Sequence, residues 1–340
     1  MKKLIFAGMS GVLAATLWGG LPQGGIWRDT DGYAINAHGG GILHHEGTYW
    51  WYGEHKVYGE AGNRAHVGVH VYSSTNLYDW VDRGIALPVS EDPKSLICDG
   101  CVIERPKVVR SRKTGKFVMF FHLELQPLLV LGKGYFAGYT GIAVADRPEG
   151  PFKLVRGDRP ERDRDGGRWG HESRDQTLFV DDDGSVWQFY SSDHNRNLRA
   201  VRLTDDCLGY TDESYMVLPG EVTEAPSVFK HGGKYWMLGS GCTGWAPNKA
   251  RLYRADRIAG PWTKLACPCK GVNPANGLGP EKTWGGQVTF VLPVVEKPGT
   301  FIAMFDLWNP KNQISSRYVW LPVTFAGDAL EVVWRDEFVY

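Results

Sequence analysis

An all-β fold, a five-bladed β-propeller, is predicted from this 340-residue sequence by three observations. One pattern returns five times: a small polar cluster, a short apolar strand, a turn, then an aromatic-rich strand. The copies recur about every 50 to 70 residues, a period that suits propeller blades built from strands. No segment sustains an apolar period of 3.6 residues, so almost no helix is expected.

The copies are HGGGILHHEGTYWWYGEHK from His38, ERPKVVRSRKTGKFVMFFH from Glu104, SRDQTLFVDDDGSVWQFYSSD from Ser173, TEAPSVFKHGGKYWMLGSG from Thr223 and GGQVTFVLPVVEKPGTFIAMFD from Gly285. Between them lie outer-strand signals. HVGVHVYSSTNLYDWVDRG alternates apolar and polar residues and turns at Thr75-Asn76. GIAVADRPEGPFKLV and LYRADRIAGPWTKL each read as strand, Gly-Pro turn, aromatic, strand. The innermost strands of a propeller start near a shared axis. The polar residues opening the copies, His38, Glu104, Asp175, Glu224 and Gln287, are therefore expected to line one central pocket.

Five blades use nearly all of the chain, so one domain is expected over residues 21–340. Lys and Arg balance Asp and Glu at 38 each. That balance gives no reason to expect nucleic acid or an anionic membrane as partner. Most of the many aromatics belong between blades, and a few exposed ones would suit stacking on sugar rings. Residues 1–20, two lysines followed by an apolar stretch, look like a secretory signal peptide with a secreted or periplasmic product; the alternative is a buried first strand. A monomer without membrane insertion is expected. Six cysteines leave pairing open, and Cys98-Asp99-Gly100-Cys101 has redox or zinc spacing without a second pair to complete a zinc site. A local disulfide or free thiols is the simpler reading. No metal ligand set and no cofactor are expected, apart from a structural cation or water on the axis near His38. Residues 156–168 are densely charged and read as a solvated loop that could rim the pocket. Residues 124–138 are unusually apolar for a loop, and would cover the core or wall a cleft.

A carboxylate opening a buried strand is costly unless pairing or function keeps it. Glu104, Asp175 and Glu224 occupy that position in three copies. They are either ion pairs joining blades or a catalytic set. Two acidic groups in an aromatic-walled pocket are what glycoside hydrolysis needs, one to protonate the leaving oxygen and one to activate water or attack carbon.

The stretches AHGGGIL, WWYGEHK, VIERPKVV, SRDQTLF, SSDHNRN, TEAPSVF, CTGWAPN, TWGGQVTF and SSRYVWLP, in this order, resemble glycoside hydrolase family 43, inverting five-bladed propeller enzymes of clan F. The likeness is strongest to the exo-β-1,3-galactanase branch. It implies an exo-acting β-1,3-galactosidase or galactanase on β-1,3-galactan or arabinogalactan chains. α-L-arabinofuranosidase, β-xylosidase and a non-catalytic sugar-binding propeller are the alternatives. By the resemblance, Glu224 matches the general acid, and Asp175 the carboxylate that orients it and tunes its pKa. Glu54 and Glu104 match residues that hydrogen-bond the terminal sugar. Tyr135, Asn195, Thr243 and Trp245 match wall positions. The family's usual Asp at the start of the first blade is absent here, where His38 stands. The galactanase branch shares that absence and carries a Gln where this chain has Gln287. Either Gln287 holds the attacking water, or Glu104 takes its proton. Gln287 could also be a neutral amide that merely bonds backbone.

Overall fold

The computed structural model describes residues 21–127, 135–162, 167–327 and 329–340. The proposed leader at 1–20 lies outside the described residues. Five antiparallel sheets follow one another along the chain, each starting at the axis and working outward. Blade 1 is His38–His45, Thr48–Lys56, His66–Ser74 and Val81–Pro88. Blade 2 is Val102–Arg110, Phe117–Glu124, Tyr139–Ala145 and Lys153–Asp158. Blade 3 is Gln176–Val180, Val186–Ser192, Asn197–Leu203 and Tyr210–Leu218. Blade 4 is Thr223–His231, Lys234–Gly241, Arg251–Ala255 and Thr263–Leu265. Blade 5 is Gln287–Pro293, Phe301–Leu307, Arg317–Ala326 and Ala329–Val333. A fifth, parallel strand at its outer edge, Cys269–Lys270, comes from the connection out of blade 4. The first strand of every blade contacts those of both neighbours, which closes the ring. Helix is confined, among the described residues, to three short 3-10 turns.

The core sits between the blades. Each of the five interfaces has its own apolar cluster, such as Tyr52, Val71, Ile103 and Phe121 between blades 1 and 2. Phe229, Leu238, Val291 and Phe305 do the same between blades 4 and 5. The aromatic-rich second strand of each copy is thus buried on both sides, which explains why it reads as a nearly continuous apolar run. Closure relies on the start and end of the described chain meeting. Leu21–Pro22 pairs with Glu337–Phe338. The Gln23 amide brackets the backbone of Trp320, donating at 2.6 Å and accepting at 2.7 Å. Trp27 wedges between Trp51 and Trp320, with centroids 6.3 and 4.9 Å away.

A local distortion aims the opening residues of three blades. The residue after each is left-handed: Gly39 (φ 62°) after His38, Arg105 (φ 55°) after Glu104, and Ala225 (φ 54°) after Glu224. In each case the ladder register slips just beyond, which marks a bulge. Bulges re-aim side chains next to functional sites, and a left-handed non-glycine residue carries strain. Gly39 has a second constraint, since a Cβ there would lie 2.3 Å from Glu54 Oε1.

One loop expectation is corrected, and the described part of the other segment covers the core as expected. The charged segment from Arg156 is not simply solvated: Arg156 belongs to the fourth strand of blade 2, and Glu161 is buried. Glu161 Oε2 accepts bonds from the Tyr190 hydroxyl at 2.6 Å and Arg199 Nε at 3.3 Å. In the apolar segment from Glu124, Leu125 and Ala137 join the core between blades 1 and 2. All six cysteines are unpaired.

Candidate active site

A cavity of about 340 Å³ opens at the axis, where the first strands of blades 2, 4 and 5 begin and just before that of blade 3. Its lining includes Glu54, Glu104, Tyr135, Asp175, Asn195, Glu224, Trp245 and Gln287, eight of the residues singled out in the sequence. Arg105, His122, Arg174 and Trp308 also line it.

Glu224 is held from three sides. Its Oε1 accepts a bond from Gln287 Nε2 at 2.9 Å, and its Oε2 one from Asn195 Nδ2 at 3.3 Å. The N–H of the next residue, Ala225, donates to Asp175 Oδ2 at 3.0 Å. The left-handed turn at Ala225 is what points this N–H at Asp175. Burial first, and the neighbouring Asp175 charge second, push the Glu224 carboxyl up to about 8. Glu224 is therefore a carboxylic acid at neutral pH, able to donate a proton.

Arg105 connects the other groups. Its Nη2 lies 3.2 Å from Asp175 Oδ2 and donates to Gln287 Oε1 at 2.5 Å, while Nη1 donates to the Val288 carbonyl. Gln287 Oε1 also accepts from Trp308 Nε1 at 3.1 Å. Its Nε2 donates to Ser240 Oγ as well as to Glu224. Arg and Trp can only donate, so the amide orientation is fixed: oxygen toward Arg105 and Trp308, nitrogen toward Glu224.

Glu104 is set up differently. It accepts from Tyr135 Oη at 2.9 Å and is ion-paired with His122, whose Nδ1 lies 2.8 Å from Oε2. Burial opposes its ionisation, yet the His122 bond and charge outweigh this and hold it at about 2. His122 in turn donates to Glu124 Oε1 at 3.1 Å. Burial disfavours its cation, but the two flanking carboxylates push it up to about 9. Glu124 accepts the backbone N–H groups of Ala137 and Gly138, and so anchors the start of the strand that follows Tyr135. Glu54 enters from the second strand of blade 1, pairs with Lys56 at 2.5 Å and accepts the Arg105 N–H at 3.1 Å. Burial raises its carboxyl above the usual range despite Lys56.

Donor atoms of Glu104, His122 and Asp175 lie within 4.8 Å of one another. In this state His122 lies between Glu104 and Glu124, and Arg105 faces Asp175, so each carboxylate of the group already has a cationic neighbour.

Two expectations are corrected. His38 does not line the cavity. It is fully buried, stacked on Tyr318 at 5.0 Å, and burial pushes its pKa down to about 3. Glu54, across the ladder from it, supplies the group blade 1 shows to the cavity. Thr243 is also not part of the wall. Its hydroxyl donates to the Ala246 carbonyl and accepts from Asn248 within its own loop, leaving Gly244 and Trp245 to face the cavity.

Sequence reasoning missed His122 and Trp308 as site residues, and read Arg105 only as a neighbour of Glu104 on the first strand of blade 2. The signal for His122 and Trp308 was the end of the second strand. His122, Asn195, Trp245 and Trp308 lie on or just beyond that strand in blades 2 to 5, as Glu54 does in blade 1.

The family model "Glycosyl hydrolases family 43" matches residues 41–269. A family 43 β-1,3-galactosidase solved with galactodeoxynojirimycin is 42% identical, with a TM-score of 0.86, covering 94% of this chain and 100% of that one. An exo-β-1,3-galactanase from Phanerochaete chrysosporium, solved with β-1,3-galactotriose, is 32% identical with a TM-score of 0.80, over 93% of this chain and 67% of that one. A β-D-galactofuranosidase from Aspergillus niger is 30% identical over 130 residues, 36% of each chain. The chain belongs to the glycosyl hydrolases of family 43.

Proposed function

We propose that this protein is an inverting, exo-acting β-1,3-galactosidase that removes terminal galactose from β-1,3-galactan or arabinogalactan chains. The observation that carries the reading is Glu224, a carboxyl with its pKa pushed up to about 8 in a small cavity lined by further carboxylates and two tryptophans. The activities named for the similar structures support the choice of sugar and linkage.

In this reaction Glu224 protonates the oxygen that leaves the terminal galactose. Asp175 holds the backbone beside it and keeps the acid protonated. Glu104 and Glu54 accept bonds from hydroxyls of the bound sugar, and Trp245 and Trp308 offer apolar faces. Gln287 positions the attacking water, its amide oriented by Arg105 and Trp308. Glu104 is a poor base at a pKa of about 2, which favours a substrate-binding role for it. No cofactor enters the reaction.

The test is product release from β-1,3-galactooligosaccharides, beside nitrophenyl α-L-arabinofuranoside, β-D-xyloside, β-D-galactopyranoside and β-D-galactofuranoside. Galactose released one unit at a time, with inverted anomeric configuration by NMR, is expected. Preference for another glycoside, or binding without product over hours, would defeat the reading.

A further inference from the structure

Gly39, Gly40 and Gly41 follow His38 in the first strand of blade 1, and two of them are fitted to charged side chains from other strands. A side chain at Gly39 would strike Glu54 Oε1. A Cβ at Gly41 would lie 2.5 Å from Lys107 Cδ and 3.1 Å from its Cε, so the lysine stem occupies the place of the missing side chain. Lys107 comes from the first strand of blade 2, two residues beyond Arg105, and is buried. It does not line the active-site cavity, and the proposed reaction gives it no contact with sugar or water.

The Lys107 amine is held by backbone. It donates to the Gly39 carbonyl at 3.1 Å and to the Arg105 carbonyl at 3.4 Å, and it makes no ion pair among the described residues. A buried amine is costly unless its hydrogens are used. Burial first, and the Arg105 charge second, push its pKa down to about 7. Protonated or neutral, it has hydrogens enough for both carbonyls.

Both carbonyls belong to the residues that seat Glu54. Gly39 and Arg105 are the left-handed residues of the bulges in blades 1 and 2, at φ 62° and 55°. The Arg105 N–H donates to Glu54 Oε1 at 3.1 Å, and Gly39 abuts the same oxygen. The Gly39 N–H donates to Asp306 Oδ2 at 2.5 Å. Gly39 is thus gripped at its N–H from blade 5 and at its carbonyl from blade 2. Gln176 Nε2 of blade 3 donates to the Arg105 carbonyl at 2.7 Å and steadies the second seat.

We propose that Lys107 is a positioning residue for Glu54: by tying the Gly39 and Arg105 carbonyls to one amine, it fixes the two backbone turns that aim the Glu54 carboxylate into the cavity. The inference rests on the proposed reading in which Glu54 accepts a hydroxyl of the terminal sugar. It adds that affinity for that sugar depends on a group that does not touch it.

The test is kinetic and structural. Lys107→Met keeps the stem and removes the amine. It is expected to raise KM for β-1,3-galactobiose about tenfold while kcat falls less than about threefold, because a misplaced binding group acts mainly on uniform binding. Lys107→Gln, which keeps a donor, should retain part of the affinity. Glu54→Gln weakens the very group that is positioned, so adding Lys107→Met to it should raise KM by no more than about twofold further, the sign of two residues acting as one unit. An unchanged KM in folded Lys107→Met, or effects that multiply in the double variant, overturns the proposal. A crystal structure of Lys107→Met is the second measurement and does not depend on activity. Displacement of the Glu54 carboxylate by about 0.5 Å or more is expected, the tolerance within which functional groups must be held. A Glu54 carboxylate that stays in place overturns the proposal. If wild type leaves β-1,3-galactobiose intact, the galactanase reading fails by itself, and the displacement still decides the role of Lys107. Should Lys107→Met not fold, Asp306→Leu frees the other end of the Gly39 peptide and is held to the same expectations.

Discussion

Gln287 Nε2 lies 2.9 Å from Glu224 Oε1, so the proposed water-holder and the proposed acid touch across the interface of blades 4 and 5. Inverting glycosidases that use two carboxyls hold them about 6.5 to 9.5 Å apart, leaving room for sugar and water. In this state both hydrogens of the Gln287 amide and both acceptor positions of its oxygen are taken. Substrate must therefore separate the pair before a water can sit on Gln287. The Arg105 and Trp308 bonds are able to persist through that step, because they hold the opposite end of the amide.

Glu224→Gln removes the proton donor while keeping the shape. Turnover on β-1,3-galactan is expected to fall about 10² to 10⁴-fold, the scale of a lost general acid. A nitrophenyl galactoside needs little protonation and should lose less. Steady-state kinetics on both substrates check this; a variant that keeps most of its galactan activity removes Glu224 from the role.

The water's partner is decided by two variants at saturating substrate. Gln287→Ala should lower kcat by about 10² with little change in KM, because positioning acts mainly in the transition state. Glu104→Gln should act mainly on KM, as the loss of a sugar-binding carboxylate. A deeper kcat loss in Glu104→Gln, restored by azide, would instead make Glu104 the base.

The rate should fall above neutral pH as Glu224 ionises, with the alkaline limb near pH 8. Asp175→Asn removes a like charge that raises the acid's pKa and frees Arg105, which lowers it. Both changes act in one direction, so the limb should move to lower pH. A pH profile of kcat/KM, which reports the free enzyme, in which the limb stays put or rises contradicts the role given to Asp175.

The buried Glu104–His122 pair should show a defined stability window. Glu104 falls from 4.5 to about 2 on folding, so its contribution is present above pH 4.5 and is lost as pH falls toward 2. His122 rises from 6.5 to about 9, so its contribution is full below pH 6.5 and is lost as pH rises through 9. His122→Gln should therefore cost most between pH 4.5 and 6.5, about 3 kcal/mol for breaking a buried pair. Denaturant unfolding at pH 5.5 and 9.5 checks it, with the difference between wild type and variant shrinking at the higher pH. An equal difference at both values would mean that the pair is not ionised as described.

The five blades were legible in the sequence because each is a local object. Its strands are neighbours along the chain, its turns carry Gly, Asn and Pro, and its second strand is apolar on both faces because another blade covers each. Glu104, Asp175, Glu224 and Gln287 were legible for the same reason: they open successive copies of one pattern. The partners of those residues were decided only by the ring. Arg105 of blade 2 meets Asp175 beside blade 3 and Gln287 of blade 5 because their first strands converge on the axis, a relation that no local spacing records. Backbone geometry decided the rest. Left-handed residues after Glu104 and Glu224 set where their neighbouring N–H groups point, and Glu54, packed against Gly39, takes the cavity position that His38 would have filled. Asp193, His194 and Asn195 are all left-handed, and the His194 N–H is tied to Glu172 Oε2, a contact across 22 residues. Sequence pattern follows burial, which repeats blade by blade; charge pairing and strain follow the meeting of distant segments, which only the closed propeller supplies.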